Sequence, residues 1–327
     1  MKKALIAVLA LAAVACNKTE VVEQNPANAI AFDNAFVDNA VKSVSDPSYT
    51  NANLFGDFAV FGFVEEEANL FDGVKVSGSA LNGNWTYEGT QYWIAGAKYH
   101  FCAVAPFTGN WTKTAASKDG VELSFTNTGA QDVLYAQSGE IVGKSTGNSK
   151  VAFTFRHILS KVKFSFENGY NASNATIRVK DVKITNAYKT GNVALDANTA
   201  WSAQAGTLEL AFGNAATTAV DADEAYAFKT TVETYNELLL IPGAVTNGYN
   251  VTFTVELLVS GTVVKTYDHT ATVDFTPEAG KCYDIKAVIN AENIDPENEQ
   301  EPIEFTVSTI NGWGDPNDVN ATINNNN

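Results

Sequence analysis

KVAFTFRHILSKVKFSF, residues 150–166, decides how this chain is read. Val151, Phe153, Phe155, His157 and Leu159 share one parity, whereas Val162, Phe164 and Phe166 share the other. Side chains on a strand alternate between faces, so the buried face switches between Leu159 and Lys161. A strand serving one sheet has no reason to switch, but a strand that leaves one sandwich and enters a second does. The stretch is therefore read as the boundary between two β-sandwiches, 17–160 and 161–290. The same alternation argues against a catalytic dyad. His157 and Ser160 are three positions apart, so on one strand they point to opposite faces, roughly 10 Å apart. His157 is expected to be a half-buried, hydrogen-bonded histidine at the junction.

Segments on both sides carry the same signature. DFAVFGFV (57–64) is apolar on both faces, as a buried central strand would be. NWTYEGTQYWIAGAKYHFCAVAP (84–106) is aromatic, punctuated by turns and ends on a strand, and VELSFTNTGAQDVLYAQSG (121–139) reads as a strand followed by an irregular connection. Beyond the switch come ATIRVKDVKIT (175–185), TLELAF (207–212), ELLLIPG (237–243) and GKCYDIKAVIN (280–290). YNVTFTVELLV (249–259) alternates cleanly, and VVKTYDHTATVDF follows across Ser260-Gly261 as its hairpin partner. Strands at this spacing without intervening helices imply an all-β chain of antiparallel sandwiches.

Both ends are strand-like. AIAFDNAF places Ile30, Phe32 and Phe36 at even positions, interrupted by Asn34, and Lys42 follows in a loop. Near the other end, AENIDPENEQEP (291–302) is an acidic, proline-bounded linker. IEFTVSTINGW then puts Ile303, Phe305 and Val307 on one face before Trp313, and VNATINNNN reads as a mobile tail.

The first sixteen residues read as an export signal. MKK supplies a basic start, ALIAVLALAA a short apolar core and Val14-Ala15-Cys16 a small-residue approach to a cysteine. The apolar run is about ten residues, roughly half a bilayer-spanning helix. Cys16 is the expected lipidation site, with a plain secretory signal as the blander reading; a diacylglyceryl group plus an amide-linked chain anchors stably where one chain does not. Removing residues 1–16, whose only charges are Lys2 and Lys3, takes the formal charge from −16 to −18. That surface suits an exported soluble protein and excludes nucleic acid, which needs clustered Lys and Arg. Cys102 and Cys282 then remain; a disulfide between them is open to an exported protein, free thiols are the preferred reading, and no metal-ligand spacing surrounds them.

Catalytic chemistry finds little support. His100, His157 and His269 lie far from one another, no glycine-rich loop opens a helix, and the runs Glu65–Glu67 and Asp221–Glu224 sit in polar, turn-like contexts. No catalytic residue, cofactor or metal is assigned. Trp85, Tyr87, Tyr92, Trp93 and Trp111 suit either a sugar-stacking platform or the first core; the core reading is preferred.

Taken in order, the lipobox, FAVFGF, WTYEGTQYWIAGAKYHFCAVAP, QDVLYA, FRHILSKVKFSF, LLLIPG and AGKCYDI resemble the fimbrillin family, lipoprotein precursors of surface pili in Gram-negative anaerobes. The resemblance implies two tandem transthyretin-like antiparallel sandwiches and no enzymatic activity. It implies an outer-membrane precursor that a trypsin-like protease cuts after a basic residue beyond the first strand, which frees a groove for a terminal strand of another pilin subunit. A receptor on a host or bacterial surface would be a further partner. The matching positions are Lys42 and Ser43 for the cut, residues 27–42 for the removable strand, and Ile303, Phe305, Val307 and Trp313 within the region 291–327 for the donor. Lys42 stands where an arginine is often found, so an arginine-only protease would leave it uncut. Stalk, anchor and tip roles are all open, and the alternative is a monomeric glycan-binding surface lipoprotein. A lipid-anchored glycoside hydrolase is a third reading, and it would require a cleft with paired carboxylates.

Overall fold

The computed structural model describes residues 26–37, 57–65, 68–78, 85–169, 175–212, 225–227, 229–230, 234–235, 237–298, 301–310 and 319–323. Cys16, Lys42, Ser43 and Trp313 lie outside them. Apart from one 3-10 turn at Pro26–Asn28, the regular elements are strands. In chain order these are β1 (Phe32–Val37), β2 (Asp57–Val64), β3 (Ala68–Ser77), β4 (Thr86–Tyr87), β5 (Lys98–Ala105), β6 (Trp111–Ser117) and β7 (Gly120–Thr126). Next come β8 (Leu134–Val142), β9 (Val151–His157), β10 (Ser160–Asn168), β11 (Ala175–Leu195), β12 (Thr199–Ala211), β13 (Ala225–Ala227) and β14 (Lys229–Thr230). The last are β15 (Thr234–Tyr235), β16 (Leu238–Leu240), β17 (Tyr249–Val259), β18 (Thr262–Val273), β19 (Cys282–Ile289), β20 (Phe305–Ile310) and β21 (Val319–Ile323).

Three sheets carry the fold. The first runs β1-β9-β8-β5-β2-β3-β4, the second β18-β17-β11-β7-β6 with β12 also on β11, and the third β13-β10-β19-β20-β21 with β16 on β10. β9 ends at His157 and β10 begins at Ser160, and the two strands belong to different sheets. The second sheet joins both halves of the chain. β11 is 21 residues long, about 70 Å at the usual rise. Its first part pairs with β17 (Ala175↔Val259 to Ile184↔Val251) and its last part with β7 (Thr190↔Thr126 to Leu195↔Val121). Register shifts between Lys180 and Lys183 and between Ile184 and Ala187 change which parity is buried, from Ile177 and Val179 to Val182 and Ile184, then Ala187, Val193 and Leu195.

The cores follow from this layout. Val162, Phe164 and Phe166 of β10 with Tyr283 and Ile285 of β19 meet Ile177, Val251 and Phe253 of the second sheet. Ala59, Phe61 and Phe63 of β2 meet Leu123, Phe125, Val193 and Ile241. The opposite face of the first sheet closes over Ile30, Phe32, Phe58, Phe71, Phe101 and Phe153. β2 is thus buried on both faces, which accounts for its unbroken apolar run.

The all-β, largely antiparallel expectation holds, and several finer ones need correction. Two pairs are parallel, β1 with β9 and β10 with β19. Parallel neighbours need long connections, and both pairs are separated by more than a hundred residues, a range at which local alternation carries no information on direction. The supposed irregular connection after VELSFTNTG holds β8, and the supposed tail holds β21, paired with β20 as Val307↔Ile323. The acidic linker is partly fixed: Ile294 and Asn293 are buried, Asn293 Nδ2 donates to the Val288 carbonyl at 3.0 Å, and His269 Nε2 lies 3.1 Å from the Ile294 carbonyl.

Candidate functional site

The first candidate element is β1, an end strand of the first sheet. It lies parallel to β9, with Phe32↔Val151 and Asp33↔Ala152, then a register shift, then Phe36↔Thr154 and Val37↔Phe155. The interruption read at Asn34 is therefore an extra residue within a continuing strand. β9 pairs with β8 only at His157 and Arg156, so β1 is the ladder partner of Val151–Phe155. Just before β1 the chain crosses to the other end of the same sheet. The Ile30 amide donates to the Gln91 carbonyl at 2.8 Å, the Trp93 amide to the Asn28 carbonyl at 3.1 Å, and the Tyr87 hydroxyl to the Ile30 carbonyl at 2.8 Å. Asn28 Nδ2 donates to the Trp93 carbonyl at 2.9 Å.

Side chains make this segment part of the core. Ile30 and Phe32 are each 1% exposed. Phe32 touches five rings: Tyr87 at 5.5 Å, Phe71 at 5.7 Å, Phe153 at 5.9 Å, Phe101 at 6.1 Å and Phe58 at 6.5 Å. Glycine at position 62 permits this nest, because a Cβ there would sit 2.6 Å from Phe71 and 2.9 Å from Phe101. Trp85 packs on Phe58 at 5.0 Å, and its enclosed indole Nε1 has no hydrogen-bond partner.

The second candidate element is β20. It is antiparallel to β19 (Ala287↔Phe305 to Cys282↔Ile310) without a register shift and carries β21 on its other edge. Ile303 and Phe305 are half-buried against the core between the second and third sheets, and Val307 is buried. Phe305 meets Phe253 at 5.9 Å and Phe164 and Phe166 at 6.1 Å each.

FRHILS proves to be a structural clasp. His157 Nδ1 lies 2.5 Å from Asp132 Oδ2, both side chains buried, while the Ser160 hydroxyl donates to the Glu278 carbonyl at 2.6 Å. Arg156 stacks over Tyr135 and donates to the Asp196 and Asn198 carbonyls at 2.6 Å each, and Trp201 Nε1 donates to the Ile158 carbonyl at 2.9 Å. His157 is fully buried rather than half-buried, because Asp132, 25 positions earlier in a loop, supplies a partner the sequence does not signal.

The aromatic run is core as well: Trp85 is 7% and Trp93 4% exposed, and Tyr87 and Trp111 pack against buried clusters. Cys102 and Cys282 are buried free thiols. Burial pushes the Cys102 thiol up and the Cys282 thiol up to about 12, so neither supplies thiolate near neutrality. Among the described residues no group of three or more His, Cys, Asp or Glu is placed to hold a metal.

A family profile described as fimbrillin-like matches residues 42–313. The chain belongs to the fimbrillin-like family. That family is structural and not enzymatic. The fimbrillin-like stretch begins after the last residue of β1 and ends at Trp313. Among solved structures, a candidate cell adhesion protein of Bacteroides ovatus is 16% identical with a TM-score of 0.50, over 88% of this chain and 99% of its own. One of Bacteroides uniformis is 17% identical with a TM-score of 0.49, over 86% and 98%. The fimbrial anchor protein Mfa2 of Porphyromonas gingivalis is 12% identical with a TM-score of 0.37, over 86% and 96%. The first likeness is one of fold alone, and the other two are looser. No curated protein matches the sequence.

Proposed function

We propose that this fimbrillin-like protein is a structural subunit of a cell-surface pilus serving adhesion, assembled by protease-triggered strand exchange. In this reading Cys16 is lipidated, the precursor reaches the outer membrane, and a trypsin-like protease cuts between Lys42 and Ser43. β1 then departs, and a terminal strand of another subunit, with Ile303, Phe305 and Val307 in its apolar face and Trp313 beyond, takes its place.

The observation that carries this reading is the position of β1. A single end strand fills the Phe32 nest and is the ladder partner of β9 over Val151–Phe155. Its loss would leave backbone groups unpaired and an apolar trough wet, the condition that strand addition relieves. Refilling the Ile30 and Phe32 sites would contribute about 1.5–3 kcal/mol each before ordering costs. The glycan-binding alternative loses its platform, since Trp85 and Trp93 are spent in the core.

The test is intact mass and N-terminal sequencing of protein recovered from the cell surface, beside an unboiled gel. A chain beginning at Ser43 within a ladder of multimers is expected. A diacylated chain beginning at Cys16 and running only as a monomer would overturn assembly by protease-triggered strand exchange.

A further inference from the structure

An adhesive subunit needs a ligand, and strand exchange does not supply one. Resting on the adhesive part of the proposed function, we propose that a groove across the β6–β7 and β11–β12 turns binds a neutral oligosaccharide. A pilus would repeat that site in every copy, so modest affinity at one groove would be multiplied along the polymer.

Two clefts meet at these turns. The first, of about 300 Å³, is lined by His100 of β5, Gln137 of β8, Lys118 and Asp119 of one turn and Asp196 of the other. The second, of about 310 Å³, is lined by Ala115 of β6, Glu122 of β7 and Ala194 of β11, which sit side by side in the ladder. Asp119 and Asp196 line both clefts, so the two form one groove with a pair of carboxylates at its middle. Exposed turns are ordinarily loose, but these are pinned. Gln137 Nε2 donates to the Asp119 carbonyl at 2.8 Å, and Arg156 Nη2 donates to the Asp196 and Asn198 carbonyls at 2.6 Å each. Glycine at position 120 lets the turns close on each other, because a Cβ there would sit 2.1 Å from the Leu195 carbonyl oxygen.

The lining selects the ligand. Asp119 Oδ1 accepts from Lys118 Nζ at 3.1 Å, and Asp196 Oδ1 accepts from the Asn198 amide at 2.6 Å. Oδ2 of each has no partner among the described residues, so each can accept from a sugar hydroxyl. Gln137 and His100 add an amide and an imidazole, which between them donate and accept, the mixture that a ring of hydroxyls requires. Ala115 and Ala194 provide a small apolar floor for the C–H face of a ring. An anionic ligand would meet both carboxylates and a chain of formal charge −16. A peptide strand would find no ladder to join, because β7 is already paired on both edges, with β6 and β11. Two clefts in line, each at the small end of ligand sites, fit a chain of rings better than one compact molecule.

Saturation-transfer difference NMR on the uncut full chain tests the groove apart from assembly. The probes are mannohexaose, xylohexaose and laminarihexaose, beside a chondroitin sulfate hexasaccharide and spermine. Saturation transfer to at least one neutral hexasaccharide is expected. Asp119→Asn with Asp196→Asn should weaken its binding about ten-fold. Ala115→Trp, which obstructs the second cleft alone, should weaken the hexasaccharide more than the matching disaccharide. All three positions are exposed, so the variants should unfold at the parent midpoint. Transfer to none of the neutral sugars, transfer to spermine or the sulfated sugar alone, or binding that the paired Asp variant leaves intact would each overturn the proposal while strand exchange stands. Sugar binding in a cleaved chain that forms no multimers would do the reverse, removing strand exchange and keeping the groove.

Discussion

β1 and β20 are both apolar strands near an end of the chain, yet the molecule holds them differently. β1 is an end strand, parallel to a partner far along the sequence, with Phe32 fully enclosed by five rings. β20 is an inner strand, antiparallel to its neighbour in sequence, with its phenylalanine half-buried among three. The topologically easier strand to remove thus fills the deeper site, while the strand held on both edges keeps its phenylalanine only half-buried. A groove emptied by cutting β1 would offer β20 more burial than its own sheet does.

The contrast is broken or sharpened by substitution. Phe32→Ala is expected to cost about 3–5 kcal/mol, the range for a fully enclosed aromatic, read as a lower midpoint in urea unfolding of the full chain. Phe305→Ala should cost the monomer less, about 2 kcal/mol, because half of the ring is already wet, and a loss equal to that of Phe32→Ala would erase the difference between the strands.

Glu256 tests the body to which β20 returns. It accepts from Arg178 Nε at 2.6 Å and from Lys180 Nζ at 2.7 Å, joining β17 to β11. Burial works against its charge, but the bonds from Lys180 and Arg178 outweigh it and hold the carboxyl below its ordinary value of 4.5. A depressed folded value means that the contribution is complete above pH 4.5 and fades as pH falls through the folded value. Glu256→Gln is expected to cost about 1–2 kcal/mol near neutrality, discounted because both cations keep a water-facing side, and the gap should close in acid unfolding curves.

The smallest effect belongs to the rim of β1. Lys150 Nζ lies 3.6 Å from Asp33 Oδ2 across exposed surface. Lys150→Ala should therefore change the unfolding midpoint by less than about 1 kcal/mol and less still in high salt.

What was legible in the sequence was what alternation records. The change of apolar parity between Leu159 and Lys161 corresponds to two strands in two sheets, although β10 is buried on both faces, and DFAVFGFV, apolar on both faces, is buried on both. The Val251–Val259 alternation and its partner across Ser260-Gly261 form the β17–β18 hairpin. Distance in sequence hid the rest. Nothing near Phe32 names Val151 as its ladder partner, and nothing near His157 names Asp132. β11 conceals its length because its register shifts scramble the parity that would have revealed it. In VNATINNNN the asparagine content outweighed a real alternation of Val319, Ala321 and Ile323, so a strand was read as a tail.

The central claim is that the protein polymerises because β1 is lost. Limited trypsin treatment of the purified full chain, with N-terminal sequencing to establish a single cut before Ser43 and size-exclusion chromatography with light scattering to follow mass, addresses it most directly. The account expects multimers to appear in step with cleavage and the uncut chain to stay monomeric. A chain cut cleanly before Ser43 that releases β1 and remains a stable monomer would contradict it.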